Sequence, residues 1–199
     1  HQLKINDNKT EFSILGTKQQ LSKINVNNVF ITVGQSNIYP SDTITNLGVQ
    51  FDSNINFKNN INSICQKSYF QLIKLRQIQS YVTPRVMESL VHSFISSNLD
   101  YCNSLYVNLP QKTLYKLQKI QNAAARMITG AQRRDHITPI LRRLHWLPVE
   151  KRIRFKILTF VFKCLHNMAP PYLSNNIHKY IPNRSCLLYT SDAADEVRS

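Results

Sequence analysis

The sequence predicts a mainly α protein with a small β/turn segment at its front, and three observations carry that expectation. Apolar residues recur three or four apart over most of residues 57–166. Glycine-punctuated runs with β-branched residues are confined to residues 11–51. Apolar residues make up 42% of the 199-residue chain, enough to bury a core, which excludes general disorder and a disulfide-stapled mini-protein.

The front segment reads as three short strands: residues 11–15, ended by Gly16; residues 28–33, ended by Gly34; and residues 44–51, with Gly48 inside. Three such strands are too few to stand alone and need a surface to dock on. The period then changes. Residues 57–79 predict a helix whose inner face is Ile61, Ile64, Cys65, Leu72, Leu75 and Ile78. Thr83 and Pro84 supply an N-cap followed by proline at the first helical position, opening a helix that buries Val86, Leu90, Val91, Phe94 and Ile95. Residues 111–129 form the next helix, with Leu114, Leu117, Ile120, Ala124, Met127 and Ile128 inward and Gly130 as its stop. A loop over 133–139 and a short helix over 140–144 precede a long helix over 148–166 that uses Ile153, Ile157, Phe160, Val161 and Cys164. Pro170 and Pro171 end that helix and open a last one through Ile177.

Charge divides the chain into three pieces. Residues 1–54 are neutral, residues 55–185 hold 20 lysines and arginines against Glu88, Asp100, Asp135 and Glu150, a net of +16, and residues 186–199 carry −2. The overall +14 therefore comes from the helical piece, and a polyanion is the partner class that such an excess concentrates. Lys112, Lys116, Lys119 and Arg126 make one stripe along the 111–129 helix, and Arg152, Lys156 and Lys163 make another along the 148–166 helix. No carboxylate interleaves with either stripe along its helix, so a phosphate backbone is the expected counter-charge. Ordinary solvated faces are the alternative.

Other chemistries are poorly supplied. Four glycines cannot assemble a phosphate-cradling loop, and Cys65, Cys102, Cys164 and Cys186 form no paired motif for zinc or redox work. The pairs Asp135-His136 with His145, and Cys164 with His166, lack the spacing of a metal site. Cys65, Cys102 and Cys164 sit among apolar helical positions and are expected to be buried and inert. Trp146, Tyr101, Tyr106 and Tyr115 are expected to pack rather than to stack on bases. With no leader-like apolar run and no stretch of membrane-spanning length, the expectation is an intracellular protein, cytoplasmic or nuclear, with reduced thiols, not secreted and without a membrane partner.

Several ordered motifs then carry a resemblance. They are Asn98-Leu-Asp-Tyr-Cys-Asn-Ser-Leu-Tyr-Val-Asn-Leu-Pro110, Leu117-Gln-Lys-Ile-Gln-Asn-Ala-Ala-Ala-Arg126, His136-Ile-Thr-Pro139, Leu144-His-Trp-Leu-Pro-Val149, Arg152-Ile153 and Ala169-Pro-Pro-Tyr-Leu173. Upstream stand Leu3-Lys-Ile-Asn-Asp-Asn-Lys-Thr-Glu11 and Asn46-Leu-Gly-Val49 with Asp52. In this order, over about residues 3–185, the chain resembles the C-terminal part of non-LTR retrotransposon reverse transcriptases of the Jockey/CR1/L2 type.

The resemblance implies an RNA-directed DNA polymerase ancestry, with residues 1–54 as a palm remnant bearing a primer-grip hairpin and residues 55–185 as a helical thumb and C-terminal module. It implies an RNA template and a DNA primer as partners, together with the palm and endonuclease regions of the same polyprotein, and Mg2+ for the complete polymerase. The family's Tyr-x-Asp-Asp turn precedes the segment at which this sequence starts, so the chain is expected to lack the catalytic carboxylates, to need no cofactor and to be inactive alone. Isolated Asp7, Glu11, Asp42 and Asp52 are not that cluster. Lys9 corresponds to a lysine near the incoming nucleotide, or is an exposed turn lysine. Leu47 and Gly48 correspond to the primer grip, with a β-bulge glycine as the plain alternative for Gly48. The two basic stripes become candidate tracks for the template-primer backbone. A stand-alone, non-catalytic basic helical RNA/DNA-binding module is the other reading. Residues 186–199 resemble a translated sequencing-library adaptor and are set aside as an artefactual tail.

Overall fold

Eight helices and two β-hairpins are present among the described residues of the computed structural model, which are 6, 9–25 and 28–178. The 186–199 tail, Asp7 and most of the 3–8 segment lie outside the described residues. The fold is mainly α with two small antiparallel sheets. Among the described residues no helix is long and apolar enough to cross a membrane. Packing divides the chain into two compact units, His1–Phe155 and Lys156–Ser199.

The front of the first unit departs from the expected three strands. Residues 11–15 form no strand; single bonds fasten them instead, Glu11 Oε2 accepting from Thr45 N and the Phe12 carbonyl from Ser41 N. A short helix, α1 (Lys18–Leu21), comes next, opened by a capping box between Thr17 and Gln20. Each of the other two runs turns out to belong to a hairpin. Strand β1 (Ile31–Val33) pairs with β2 (Ser36–Ile38) across a two-residue loop, where Gly34 supplies the positive φ of +62°. Strand β3 (Thr43–Asn46) pairs with β4 (Val49–Asp52), with Thr43 opposite Asp52 and Asn46 opposite Val49.

Asp52 ends the second hairpin and launches the first long helix. Its carboxylate accepts the N–H groups of Asn54, Asn56 and Phe57, the last at 2.7 Å, and α2 (Lys58–Ile78) begins directly after. Buried Asn60 then ties β4 to the helical part: its carbonyl accepts from Gln50 N, and its amide donates to Tyr106 Oη at 2.7 Å. Burial is the main reason the Tyr106 phenol is pushed up to about 12.

Helix α3 (Pro84–Val91) opens as expected, with Thr83 accepting from Val86 N and proline at the first position. It continues through a π turn (His92–Ser96) into α4 (Ser97–Asp100). The buried set here is Met87, Val91, Ile95 and Leu99, whereas Val86 and Phe94, expected inside, are exposed. Steps of four drift by about 40° per step on a 3.6-residue helix, and the wider π turn takes part of that drift back.

Helix α5 (Gln111–Thr129) has the expected bounds, and Gly130 closes it at φ +68°. It runs alongside α2 in the same direction, because Lys116 near its start bonds Asn62 near the start of α2, while Gln79 just past the end of α2 bonds the Met127 carbonyl near the end of α5. The α3–α4 segment makes the return, and these three layers enclose the core. Helix α6 (Ile137–Arg143) starts three residues earlier than expected. Pro139 is tolerated there because first-turn N–H groups have no intrahelical acceptor in any case.

Helix α7 (Val149–Leu165) carries the division between the two units. Of its expected inner face Ile153 and Cys164 are buried, Ile157 and Val161 are half-buried, and Phe160 is exposed. Helix α8 (Pro171–Ser174) is shorter than the helix expected through Ile177.

Trp146 packs as expected, edge-on to His92 at 5.3 Å, and Tyr106 is fully buried. Tyr101 and Tyr115, by contrast, are exposed. Cys164 is buried, and burial pushes the Cys65 thiol up. Cys102 corrects the expectation of a helical interior. It is half-buried in the turn after α4, at φ +50°.

Candidate nucleic-acid interface

The β3–β4 hairpin presents Leu47 and Gly48 at its tip, both left-handed, with φ of +48° and +79°. A two-residue loop with positive φ at both positions is the type I′ pattern, so Gly48 is a turn glycine and not a bulge. A Cβ on Gly48 would meet nothing within 4 Å; the backbone conformation, not space, selects glycine. Leucine at the other position is costly, since bulky side chains rarely adopt positive φ. It is also 83% exposed, so no burial of its side chain compensates. What holds the tip is the Tyr101 hydroxyl, which donates to the Leu47 carbonyl at 2.6 Å.

Lys9 stands in an exposed turn, its N–H donating to the Asn6 carbonyl. Glu11 and Asp52 do not fit a metal pair. Asp52 is occupied by three backbone N–H groups and Glu11 accepts from Thr45 N, so these residues supply no step through Mg2+.

The stripe on α5 is present, but its members differ. Lys112 and Lys119 are exposed, and the Lys119 ammonium rests over the Tyr115 ring at 5.1 Å. Lys116 donates to Asn62 Oδ1 at 2.8 Å, and Arg126 donates to the carbonyls of Gln132 and Asp135. Two of the four cations therefore also fasten the fold.

On α7, Arg152 corrects the expectation of an unneutralised cation. A carboxylate from a distant element reaches it: both Asp100 oxygens accept from the guanidinium, Oδ1 from Nε at 2.8 Å and Oδ2 from Nη2. Asn103 also donates to Asp100. In the other unit Lys156 is half-buried and Lys163 exposed. The side chains of Arg152 and Asp100 are 22% and 35% exposed, so removing either partner strands a partly desolvated charge. Asp100→Ala and Arg152→Ala should each lower stability by about 1–3 kcal/mol, with clear coupling in a double-mutant cycle. Additive losses in urea unfolding would show that the pair does not act as a unit.

Sequence reasoning passed over the cations of α2 and the α5–α6 loop. An open groove of about 520 Å³ is lined by Arg76, Lys119, Arg126 and Arg133, with Tyr69 among the other lining side chains. Tyr69 and Arg76, seven apart on α2, are the sequence signal, visible once α2 and α5 are known to lie side by side.

Comparison of the chain with protein-family models, with curated proteins and with solved structures returned no match.

Proposed function

We propose that the chain is the end-of-palm and thumb section of a non-LTR retrotransposon reverse transcriptase of the Jockey/CR1/L2 type, and that it grips an RNA template paired with a DNA primer. The observation that carries this reading is the Leu47-Gly48 tip. A bulky residue kept in a left-handed turn, exposed and braced from the helical part by Tyr101, is backbone strain without a packing reason. Such strain is characteristic of ligand-contacting sites. In a primer grip, that turn offers bare backbone to a nucleic-acid terminus.

The motif order from Asn98 to Leu173 supports the same reading, as does the basic excess of the helical piece. Chemistry is assigned to the palm and endonuclease regions of the polyprotein, and Lys9 is a nucleotide-proximal cation only when joined to that palm. Contact through Lys112 and Lys119 fixes the position of the duplex without reading its sequence.

The test is fluorescence anisotropy of a labelled RNA–DNA hybrid with the full chain. Lys112→Glu combined with Lys119→Glu should weaken binding about tenfold or more, because each reversal both loses and repels a phosphate contact. Unchanged affinity in a variant with native circular dichroism would remove α5 from the interface.

A further inference from the structure

The groove between α2 and α5 is divided in a way that the duplex grip does not use. One end is cationic, with Arg76, Lys119, Arg126 and Arg133, and among the described residues no carboxylate lines it. At the other end the cavity continues as a pocket of about 160 Å³, lined by Tyr69, Ile73 and other apolar side chains together with Arg76. Tyr69 and Ile73 are 43% and 62% exposed, so an aromatic face and an aliphatic edge are open to an incoming ring. Both walls are held: Gln79 bonds the Met127 carbonyl across the seam, and the carbonyls of Gln132 and Asp135 fix the Arg126 guanidinium. A preoriented guanidinium loses little freedom on meeting an anion.

An apolar shelf next to a cluster of cations, Arg126 among them held in place, matches the two halves of a nucleotide, a base and its phosphates. We infer that this groove binds an unpaired nucleotide of a single strand, with the base stacked on Tyr69 and the flanking phosphates on Arg76, Arg126 and Arg133. An open groove lets the strand enter and leave, whereas a free mononucleotide is held by an enclosed cavity. The inference rests on the template-primer reading and extends it. The duplex lies on the exposed α5 lysines, and the strand emerging from it runs through the groove.

The experiment uses the full chain and four labelled probes: an oligo(dT) of about 10 nucleotides, a blunt RNA–DNA hybrid, the same hybrid with a single-stranded extension, and thymidine monophosphate. The extension should tighten hybrid binding by about fivefold or more, the effect of one stacked base. Tyr69→Ala, and separately Arg76→Ala with Arg133→Ala, should abolish that gain and weaken oligo(dT) binding while leaving the blunt hybrid within about twofold. Tyr69→Phe, which keeps the stacking face, should retain the gain. A gain that survives all these substitutions overturns the inference, as does equal weakening of blunt and extended hybrids. Binding of the monophosphate as tightly as oligo(dT) would assign the groove to free nucleotides and overturn the strand. If the blunt hybrid binds and the extension adds nothing, the groove fails and the template-primer reading stands. If oligo(dT) binds through Tyr69 and the hybrid does not bind, the duplex reading fails and the groove stands.

Discussion

Raising salt from 50 to 200 mM should weaken binding of the full chain to an RNA–DNA hybrid with a single-stranded extension by about 10³- to 10⁵-fold if six to ten phosphates are contacted. The magnitude distinguishes how much of the basic surface takes part. Of the seven cations in the two stripes, Arg152 is paired with Asp100, while Lys116 and Arg126 also hold the fold. Four contacts alone would give a loss of only about 10²-fold over the same range. A steep slope therefore requires cations beyond the stripes, and the groove supplies Arg76 and Arg133. The measurement is the slope of log affinity against log salt. A slope near zero would exclude the phosphate backbone as ligand, and with it both the duplex grip and the strand groove.

The helical part is legible in the sequence because its signals are local. Helix α5 is bounded by apolar spacing and by a glycine at its end, and Thr83 with Pro84 announces α3. The features that escape a sequence reading need either two-residue turns or partners far away in the chain. The hairpins look like single runs because Gly34 and Gly48 resemble ends or interruptions, when each supplies the positive φ of a loop. The expected first strand is absent, and the nearest regular element is a helix that the Thr17-Gln20 capping box starts. Met87, Val91, Ile95 and Leu99 stay on one inner face because the π turn takes back part of the drift that repeated four-residue steps build up on a 3.6-residue helix.

The site is legible as charge and illegible as commitment. A stripe counts cations, but only the fold shows that Asp100, 52 residues upstream, neutralises Arg152. The motif residues behind the resemblance show the same division. Buried Gln121 donates to the Leu147 carbonyl and accepts from Gln118, whose own carbonyl accepts from Val149 N. Those amides bind the Leu144–Val149 motif to α5. Much of the recognisable pattern is thus the apparatus that joins helices, and the exposed lysines beside it are the part available to a ligand.

Helix α5 allows that division to be tested two residues apart. Leu117 is fully buried in the core that α5 shares with α2 and the α3–α4 segment, and Leu117→Ala should lower stability by about 2–5 kcal/mol, from lost transfer energy and the cavity left behind. Against a typical total of about 5–15 kcal/mol, that is a large fraction, read as a lower urea midpoint. Lys119 has its ammonium over an exposed tyrosine ring, and Lys119→Ala should change stability by only about 0.5 kcal/mol. For nucleic acid the order reverses. Lys119→Ala should flatten the salt slope by about one contact, whereas Leu117→Ala, measured where it remains folded, should leave the slope unchanged. The outcome that contradicts this assignment is a Leu117→Ala chain that is folded by circular dichroism yet has a flattened slope. It would mean that the cations of α5 are positioned by core packing rather than by the helix itself.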